Sequence, residues 1–221
     1  MLLRSPKYRP SQFGQSSADR GRTDRYLAGD ALDRDPRMIR IDRIEQDVVD
    51  RCLAAMPDHA VVVDVPCGNG RMSQCVAQQD LLQLVALDLN QHMLQSMSVR
   101  NQAGMLDRRV QADVLHLPLP NKCADLVINM RMMHHLPNRP LRLKVLRELV
   151  RVSRDWLITS FWTTHSWRYI RRRLLGKSIR GFPISPYQFM DLVDEAGLTI
   201  EQLIPTRRLY EEQVVAVCRV P

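Results

Sequence analysis

A chain of 221 residues, of which 45% are hydrophobic and 25% charged, has the composition of a globular domain, which excludes collagen, coiled coils and wholesale disorder. It contains no apolar run of the roughly 18 to 20 residues that span a membrane, and its first residues lack the apolar stretch of a secretory signal. Five cysteines without a Cys-x-x-Cys spacing argue against a disulfide framework and against a zinc site. These features predict a cytoplasmic protein without a structural metal.

Positive charge is concentrated in one part of the chain. Residues 139–180 carry twelve Lys/Arg and two Asp/Glu, a net charge of +10, whereas the whole chain has a net charge of +8. A basic block on an otherwise near-neutral body predicts an anionic partner.

Residues 1–35 are predicted to form a flexible N-terminal tail, because their first part mixes Pro, Ser, Gln, Gly and Arg with few apolar groups to bury. Residues 36–221 are predicted to form a single domain. Apolar residues spaced by three and four predict a helix that begins at Pro36, with Asp35 as its N-cap, and that ends before Pro57.

From residue 60 onward, apolar runs of strand length alternate with segments of helical periodicity. The predicted strands are 60–65, 82–87, 110–115, 124–129, 156–162, 199–204 and 213–220, and the predicted helices are 71–79, 90–100, 142–152 and 186–196. This alternation predicts an α/β fold, a Rossmann-like, doubly wound and mainly parallel sheet of about seven strands with helices on both faces.

The first predicted strand ends in a glycine-rich turn, Asp64-Val65-Pro66-Cys67-Gly68-Asn69-Gly70. A doubly wound sheet binds ligands beyond the carboxyl ends of its strands, and glycines let the backbone approach a ligand closely. Asp88 closes the second strand, where its carboxylate can accept both hydroxyls of a ribose. A dinucleotide fingerprint would have a third glycine where Ser73 stands, and no Gly-x-x-x-x-Gly-Lys loop is present. The acidic strand end beside the turn therefore favours a cationic ligand over a pyrophosphate.

Four segments, in order, resemble the motifs of the class I S-adenosylmethionine-dependent methyltransferases. They are Asp64–Gly70, which resembles the acidic-x-Gly-x-Gly-x-Gly motif with Pro66 in place of the first glycine, Asp88-Leu89-Asn90, Ala112-Asp113-Val114, and Ala124–Asn129 with the following Met133-His134-His135-Leu136. The resemblance spans about residues 60–220.

The resemblance implies that S-adenosylmethionine is the cofactor. Asp88 would hold the ribose, Asp113 the adenine amino group and the 66–70 turn the methionine end, although Pro66 has no N–H to donate. The residues that the resemblance assigns to the cofactor are Asp64, Pro66, Cys67, Gly68, Asn69, Gly70, Asp88, Leu89, Asp113, Val114 and Asn129.

His134 and His135 are the candidate catalytic residues. The resemblance implies that their loop faces the transferring methyl group, where an imidazole that titrates near neutrality can serve as a general base. The alternative is a loop histidine bonded to the backbone, and no further ligands suggest a metal site. Methyl transfer from a sulfonium needs no acid for the leaving thioether, so positioning alone can suffice.

An aromatic and basic insertion at about 161–182 follows the fifth predicted strand, where the resemblance implies an acceptor lid. Its candidate substrate residues are Trp162, His165 and Arg168. Trp167, Ile170 and Leu174 fall on one helical stripe among arginines, which is typical of a helix that contacts a membrane surface, here through residues 167–177. The alternatives are a lid with solvated arginines, or aromatics that stack on bases of RNA.

The acceptor class follows from these features. A small-molecule or lipid-linked acceptor with an anionic group is the first hypothesis, with the protein cytoplasmic or peripheral at the membrane. RNA is the second, because Asn129-Met130-Arg131 lacks the Asn/Asp-Pro-Pro-aromatic signature of many methyltransferases that modify base amines. A non-catalytic S-adenosylmethionine-binding protein is the third.

Overall fold

The computed structural model describes residues 36–97, 108–179, 181–207 and 209–221. The predicted tail, residues 1–35, and the end of the predicted helix 90–100 lie outside the described residues.

Helices and strands alternate along the described chain. In order they are α1 (Pro36–Leu53), β1 (Val61–Asp64), α2 (Ser73–Ala77), β2 (Gln83–Asp88), α3 (Gln91–Ser96), β3 (Arg109–Gln111), β4 (Ala124–Asn129), a 3-10 helix (Met133–His135), α4 (Arg139–Val152), β5 (Ser153–Trp162), α5 (Trp167–Leu174), α6 (Pro186–Glu195), β6 (Thr199–Pro205) and β7 (Gln213–Arg219).

The strands form a seven-stranded sheet in the order β3-β2-β1-β4-β5-β7-β6. Strands β1 to β5 are parallel to their neighbours, and β7 lies antiparallel between β5 and β6. The strand order reverses between β1 and β4, which opens a cleft at their carboxyl ends. The predicted doubly wound, mainly parallel sheet is confirmed.

Two apolar layers cover the sheet. On one face α1 and α2 bury side chains such as Val48 and Val76 against Leu126 and Ile158. On the other face α4 and α6 bury side chains against the same strands, among them Leu146, Leu149, Phe189 and Leu192. Both faces are covered, which explains why the central strands are continuous apolar runs rather than alternating ones.

Some boundaries differ from the predicted ones for local reasons. The predicted strand 110–115 was too long, because Asp113 and His116 already belong to a turn in which the His116 N–H donates to the Asp113 carbonyl at 2.9 Å. Helix α4 starts three residues earlier than predicted, at Arg139 instead of 142. The side chain of Asn138 caps it by accepting from the Leu141 N–H at 3.0 Å.

Candidate functional site

The turn after β1 lies at the cleft and depends on its glycines. Gly68 and Gly70 have φ of +54° and +88°, a left-handed conformation that side chains with a Cβ rarely adopt. The Cys67 N–H donates to the Leu87 carbonyl at 2.8 Å, so the turn is fastened to the end of β2. Burial raises the pKa of the Cys67 thiol, so this side chain stays uncharged within the turn.

Asp88 joins this turn to the end of β2. Its Oδ2 accepts from the Gly68 N–H at 2.9 Å and its Oδ1 from the Asn90 N–H at 2.8 Å. The residue is 7% exposed, and burial raises the pKa of its carboxyl although both hydrogen bonds lower it. Each carboxylate oxygen has a second lone pair, so the carboxylate fits the two hydroxyls of a ribose.

Asp113 lies in the turn that follows β3, the strand that pairs with β2. The Ala112 N–H donates to the Asp88 carbonyl at 3.1 Å, and the Asp113 Oδ1 accepts from the Leu115 N–H at 2.9 Å. Val114 is buried, and the Leu89 carbonyl accepts from the Gln111 side chain at 3.0 Å. The four sequence motifs thus meet at one edge of the sheet.

Two of the residues assigned to the cofactor lie inside the protein, behind the turn. Asp64 is 1% exposed and accepts from the Ser73 hydroxyl at 2.6 Å. Burial raises the pKa of Asp64 to about 7, against the lowering effect of that hydrogen bond. Asn129 is fully buried and donates from Nδ2 to the Val65 carbonyl at 2.7 Å, while its Oδ1 accepts from the Thr159 hydroxyl at 3.2 Å. Both side chains hold the strand ends together.

The edge formed by these residues fits the cofactor that the motifs imply. Pro66 and Gly68 are half-buried and Asn69 is exposed, so part of the turn is accessible from outside. Gly68 adds no side chain there, and a Cβ at this position would meet no atom within 4 Å. The open backbone beside the carboxylate of Asp88 provides room for a nucleoside.

The two candidate catalytic histidines occupy the 3-10 helix after β4. His134 is 5% exposed, and its ring stacks on Trp162 with the centroids 3.8 Å apart and the planes 2° apart. His135 is exposed, with its ring centroid 4.2 Å from that of His134. Gly181 packs closely against His134 and Trp162, because a Cβ there would lie 2.7 Å from the His134 carbonyl oxygen and 3.3 Å from the Trp162 ring. The structure therefore brings Trp162 and both histidines together.

The other two candidate substrate residues lie farther along the insertion. His165 is exposed, and its ring meets Tyr187 edge-on with centroids 6.1 Å apart. Arg168 lies in the first turn of α5, with its Nε 3.9 Å from a carboxylate oxygen of Glu212. Burial raises the pKa of Glu212, while nearby arginines lower it.

Helix α5 presents both exposed apolar side chains and a basic pocket. Trp167, Ile170 and Leu174 are 54%, 42% and 76% exposed. A cavity of about 180 Å³ beside them is lined by Trp167, Arg168, Arg171, Arg172, Leu175, Lys177 and Tyr210. Four of the seven lining residues are basic and none is acidic, so the pocket is positive. In the part of the chain that the structure describes, no helix has the length and apolar character needed to cross a bilayer.

A charge cluster around one buried carboxylate, missed in the sequence analysis, lies beside the end of the glycine turn. We define it as Asp42, Glu45, Arg71 and Arg131. Glu45 is fully buried, with ion pairs of 2.7 Å to both arginines. Asp42 also pairs with both arginines, at 3.2 Å to Arg71. The signal was present in α1, where Glu45 occurs at helical spacing between the buried Ile41 and Val48 and therefore on the apolar face.

The sequence is similar to known methyltransferases. Residues 63–155 match the family described as a methyltransferase domain. The chain is 30% identical to the malonyl-[acyl-carrier protein] O-methyltransferase of Pectobacterium atrosepticum over 116 residues, which are 52% of this chain and 43% of that protein. It is 28% identical to the tRNA (carboxymethyluridine(34)-5-O)-methyltransferase of Schizosaccharomyces pombe over 107 residues, 47% of this chain and 42% of that protein. The matched region spans less than half the length of either relative.

The fold is also similar to solved structures. The magnesium protoporphyrin IX methyltransferase of Synechocystis, solved with bound S-adenosylhomocysteine, superposes with a TM-score of 0.70 at 17% identity and covers 93% of this chain and 95% of that one. Geranyl diphosphate methyltransferase, solved with geranyl diphosphate and sinefungin, has a TM-score of 0.62 at 11% identity, over 81% of this chain and 78% of that one. At these identities the likeness shows a shared fold.

Proposed function

We propose that this chain, which carries the methyltransferase domain of the class I S-adenosylmethionine-dependent family, transfers a methyl group from S-adenosylmethionine to an acceptor with an anionic group. The acceptor is a small or lipid-linked molecule. The observation that carries this proposal is the basic pocket on α5, because α5 follows directly on β5, whose last residue, Trp162, stacks on His134.

S-adenosylmethionine supplies an electrophilic methyl group on its sulfonium. In the proposed complex Asp88 accepts hydrogen bonds from the ribose hydroxyls, Asp113 binds the adenine amino group and the 66–70 turn surrounds the methionine end. Asp64 and Asn129 support the site indirectly, because both are buried and hold the turn and the strand ends in place. The reaction then requires an acceptor atom in line with the methyl–sulfur bond, and binding in that geometry supplies most of the rate.

The chemistry of the acceptor is supported by the relatives. The two curated relatives described above methylate an oxygen, one on malonyl-[acyl-carrier protein] and one on carboxymethyluridine. Malonyl and carboxymethyl groups both end in a carboxyl group, which is ionised at neutral pH. We therefore propose a carboxylate oxygen as the nucleophile. Trp162, His165 and Arg168 would line the acceptor site, with Arg168 closest to the basic pocket.

His134 and His135, the candidate catalytic residues, would lie at that acceptor site, but a carboxylate nucleophile has no proton for them to remove. His135→Ala is therefore expected to leave turnover within about tenfold of wild type. General-base catalysis, which contributes about 10²–10⁴-fold to the rate where it operates, is not needed here. The measurement is single-turnover methyl transfer with tritiated S-adenosylmethionine. A loss of about 10²–10⁴ at unchanged cofactor affinity would instead identify His135 as a base and the acceptor as a group that must be deprotonated.

A lipid-linked acceptor is supported by the exposed face of α5. Three apolar side chains point outward beside arginines on a helix with no buried residue. A basic helix with exposed apolar anchors binds anionic membrane surfaces, to which each arginine contributes about 1 kcal/mol. We propose that residues 167–177 contact such a surface and thereby bring the cleft to the acceptor.

The membrane contact can be separated from RNA binding by two variants of α5. Replacing Arg171, Arg172 and Arg173 with glutamine is expected to abolish co-sedimentation with phosphatidylglycerol vesicles. Replacing the anchors Trp167, Ile170 and Leu174 with alanine is expected to do so at least as strongly, because buried apolar area also drives interfacial binding. Arg51→Gln, an exposed arginine on α1, is the control.

The same variants test the second candidate, RNA, which is favoured by the tRNA-modifying relative. RNA binding that survives loss of the anchors, and whose log–log salt slope falls by about 0.7 for each lost phosphate contact, would support RNA as the acceptor. Binding to neither vesicles nor RNA would leave a small soluble anion, held by the basic pocket.

A further inference from the structure

We propose that Glu45 is a positioning residue through which α1 couples the cofactor turn to the wall of the acceptor site. Glu45 comes from a helix outside all four sequence motifs, yet its carboxylate lies where three segments meet. The proposal rests on cofactor binding at the 66–70 turn and is independent of which acceptor is methylated.

The contact on the cofactor side is made by Arg71. This residue directly follows Gly70 of the turn, and its Nη1 donates to the Glu45 Oε2 at 2.7 Å. The side chain of Gln46, next along α1, reaches the Arg71 carbonyl at 3.5 Å. The end of the glycine turn is therefore held by α1 through both the side chain and the backbone of one residue.

Arg131 makes the second contact, from the loop between β4 and the histidines. Its Nη2 lies 2.7 Å from the Glu45 Oε2, and its Nε donates to the Oε1 at 3.2 Å. The backbone of Arg131 is in the left-handed conformation, with φ of +56°, and its N–H donates to the Ser160 hydroxyl at 2.8 Å. A non-glycine residue in this conformation needs support from its surroundings, and the cluster provides it.

The acceptor side is reached through Gln213 at the start of β7. Its Nε2 donates to the Glu45 Oε1 at 2.9 Å, and its Oε1 accepts from the Trp162 indole N–H at 2.6 Å. The Trp162 ring in turn stacks on His134. The side-chain amide of Gln213 thus links the carboxylate of Glu45, through its NH2 group, to the Trp162 ring beside the candidate catalytic residues, through its carbonyl oxygen.

The physical basis of the coupling is that the carboxylate at the centre of the network is buried and fully paired, while the side chains of Arg71 and Arg131 are 21% and 25% exposed. The Glu45 carboxylate has no exposed surface and accepts from Arg71, Arg131 and Gln213. In such surroundings hydrogen bonds polarise one another, and an unpaired member is costly. We therefore expect a displacement of Arg71 on cofactor binding to change the pairing of Glu45 and, through Gln213, the position of Trp162.

The first test uses S-adenosylhomocysteine as the probe and calorimetry as the readout. Glu45→Gln removes the charge but keeps the size, and we expect the Kd of S-adenosylhomocysteine to rise at least about tenfold. Asp47→Asn, which removes an exposed carboxylate from the same helix, is the matched control and is expected to stay within about twofold.

The second test measures coupling directly by fluorescence. The chain has three tryptophans, so Trp156→Phe together with Trp167→Phe leaves Trp162 as the single emitter. Saturating S-adenosylhomocysteine is expected to change the emission of Trp162 in this protein. The change is expected to fall by at least about half after Gln213→Met, which breaks the link to Trp162 but keeps the ion pairs of Glu45, while the Kd rises by no more than about threefold.

Gln213→Met also keeps the proposal testable if Glu45→Gln does not fold. A Trp162 emission that does not respond to the probe, or that responds equally in the Gln213→Met protein, would overturn the coupling. So would a Glu45→Gln protein that folds and binds the probe as tightly as wild type. None of these results bears on the proposed acceptor, which is tested by vesicle and RNA binding. A wild-type chain that does not bind the probe would instead contradict the cofactor assignment.

Discussion

Asp88→Ala is expected to weaken binding of S-adenosylmethionine and S-adenosylhomocysteine about 30-fold or more. Two charge-assisted hydrogen bonds to the ribose would be lost, and such a loss costs about 2 kcal/mol or more. The carboxylate also accepts from the Gly68 N–H at 2.9 Å, so its removal loosens the turn that surrounds the methionine end. Isothermal titration calorimetry on the purified chain measures the change.

Asp58→Ala is the control for this prediction. Asp58 is an exposed carboxylate just before β1, at the opposite edge of the sheet from the cleft, and its loss is expected to leave affinity unchanged. Equal affinity of the Asp88→Ala protein and wild type, or tighter binding of NAD than of S-adenosylmethionine, would contradict the assignment of this edge to the cofactor.

Asp64→Asn is expected to change how stability depends on pH. Burial raises the pKa of Asp64 to about 7 in the folded chain, from 3.8 for the unburied group. Between these values the unfolded chain releases a proton that the folded chain keeps, so wild-type stability falls as pH rises. The fall amounts to about 1.4 kcal/mol per pH unit for this group, is absent below about pH 4 and is complete above about pH 7.

The asparagine variant has no such proton, so the difference between its unfolding free energy and that of wild type should grow steadily from pH 4 to pH 7. Urea unfolding at half-unit pH intervals measures this difference. Ser73→Ala removes the hydrogen bond that lowers the pKa of Asp64 and should extend the fall to higher pH. A constant difference between the Asp64→Asn protein and wild type across this range would mean that Asp64 is ionised in the folded chain.

Those parts of the fold that depend on local apolar pattern could be predicted from the sequence. Strand β4 has the predicted bounds, 124–129. Its apolar run, interrupted only by the acidic second residue, is best buried as a central strand that helices cover on both faces. The predicted third strand failed where a polar side chain, that of Asp113, offered the backbone a turn instead of a ladder.

Within the site, too, the contacts that follow from local motifs could be predicted and those that depend on long-range packing could not. Gly68 and Asp88 meet as the motifs predict, because parallel neighbouring strands end at the same edge of the sheet. The contacts of Glu45 could not be placed in the same way. They depend on which face of α1 packs over which loop, and nothing local to Arg71 or Arg131 in the sequence reveals that choice.

The bond between Glu45 and Gln213 joins residues that are 168 positions apart, and this has a consequence for how the protein is made. Strand β7 is synthesised after β6 but must insert between β6 and β5 before Gln213 reaches α1. Closing so long a span carries a large entropic cost, and contacts of this kind tend to form late in folding. A nascent chain is therefore expected to form its glycine turn early but to bind a cofactor only weakly. Tight binding is expected only after β7 has been inserted into the sheet.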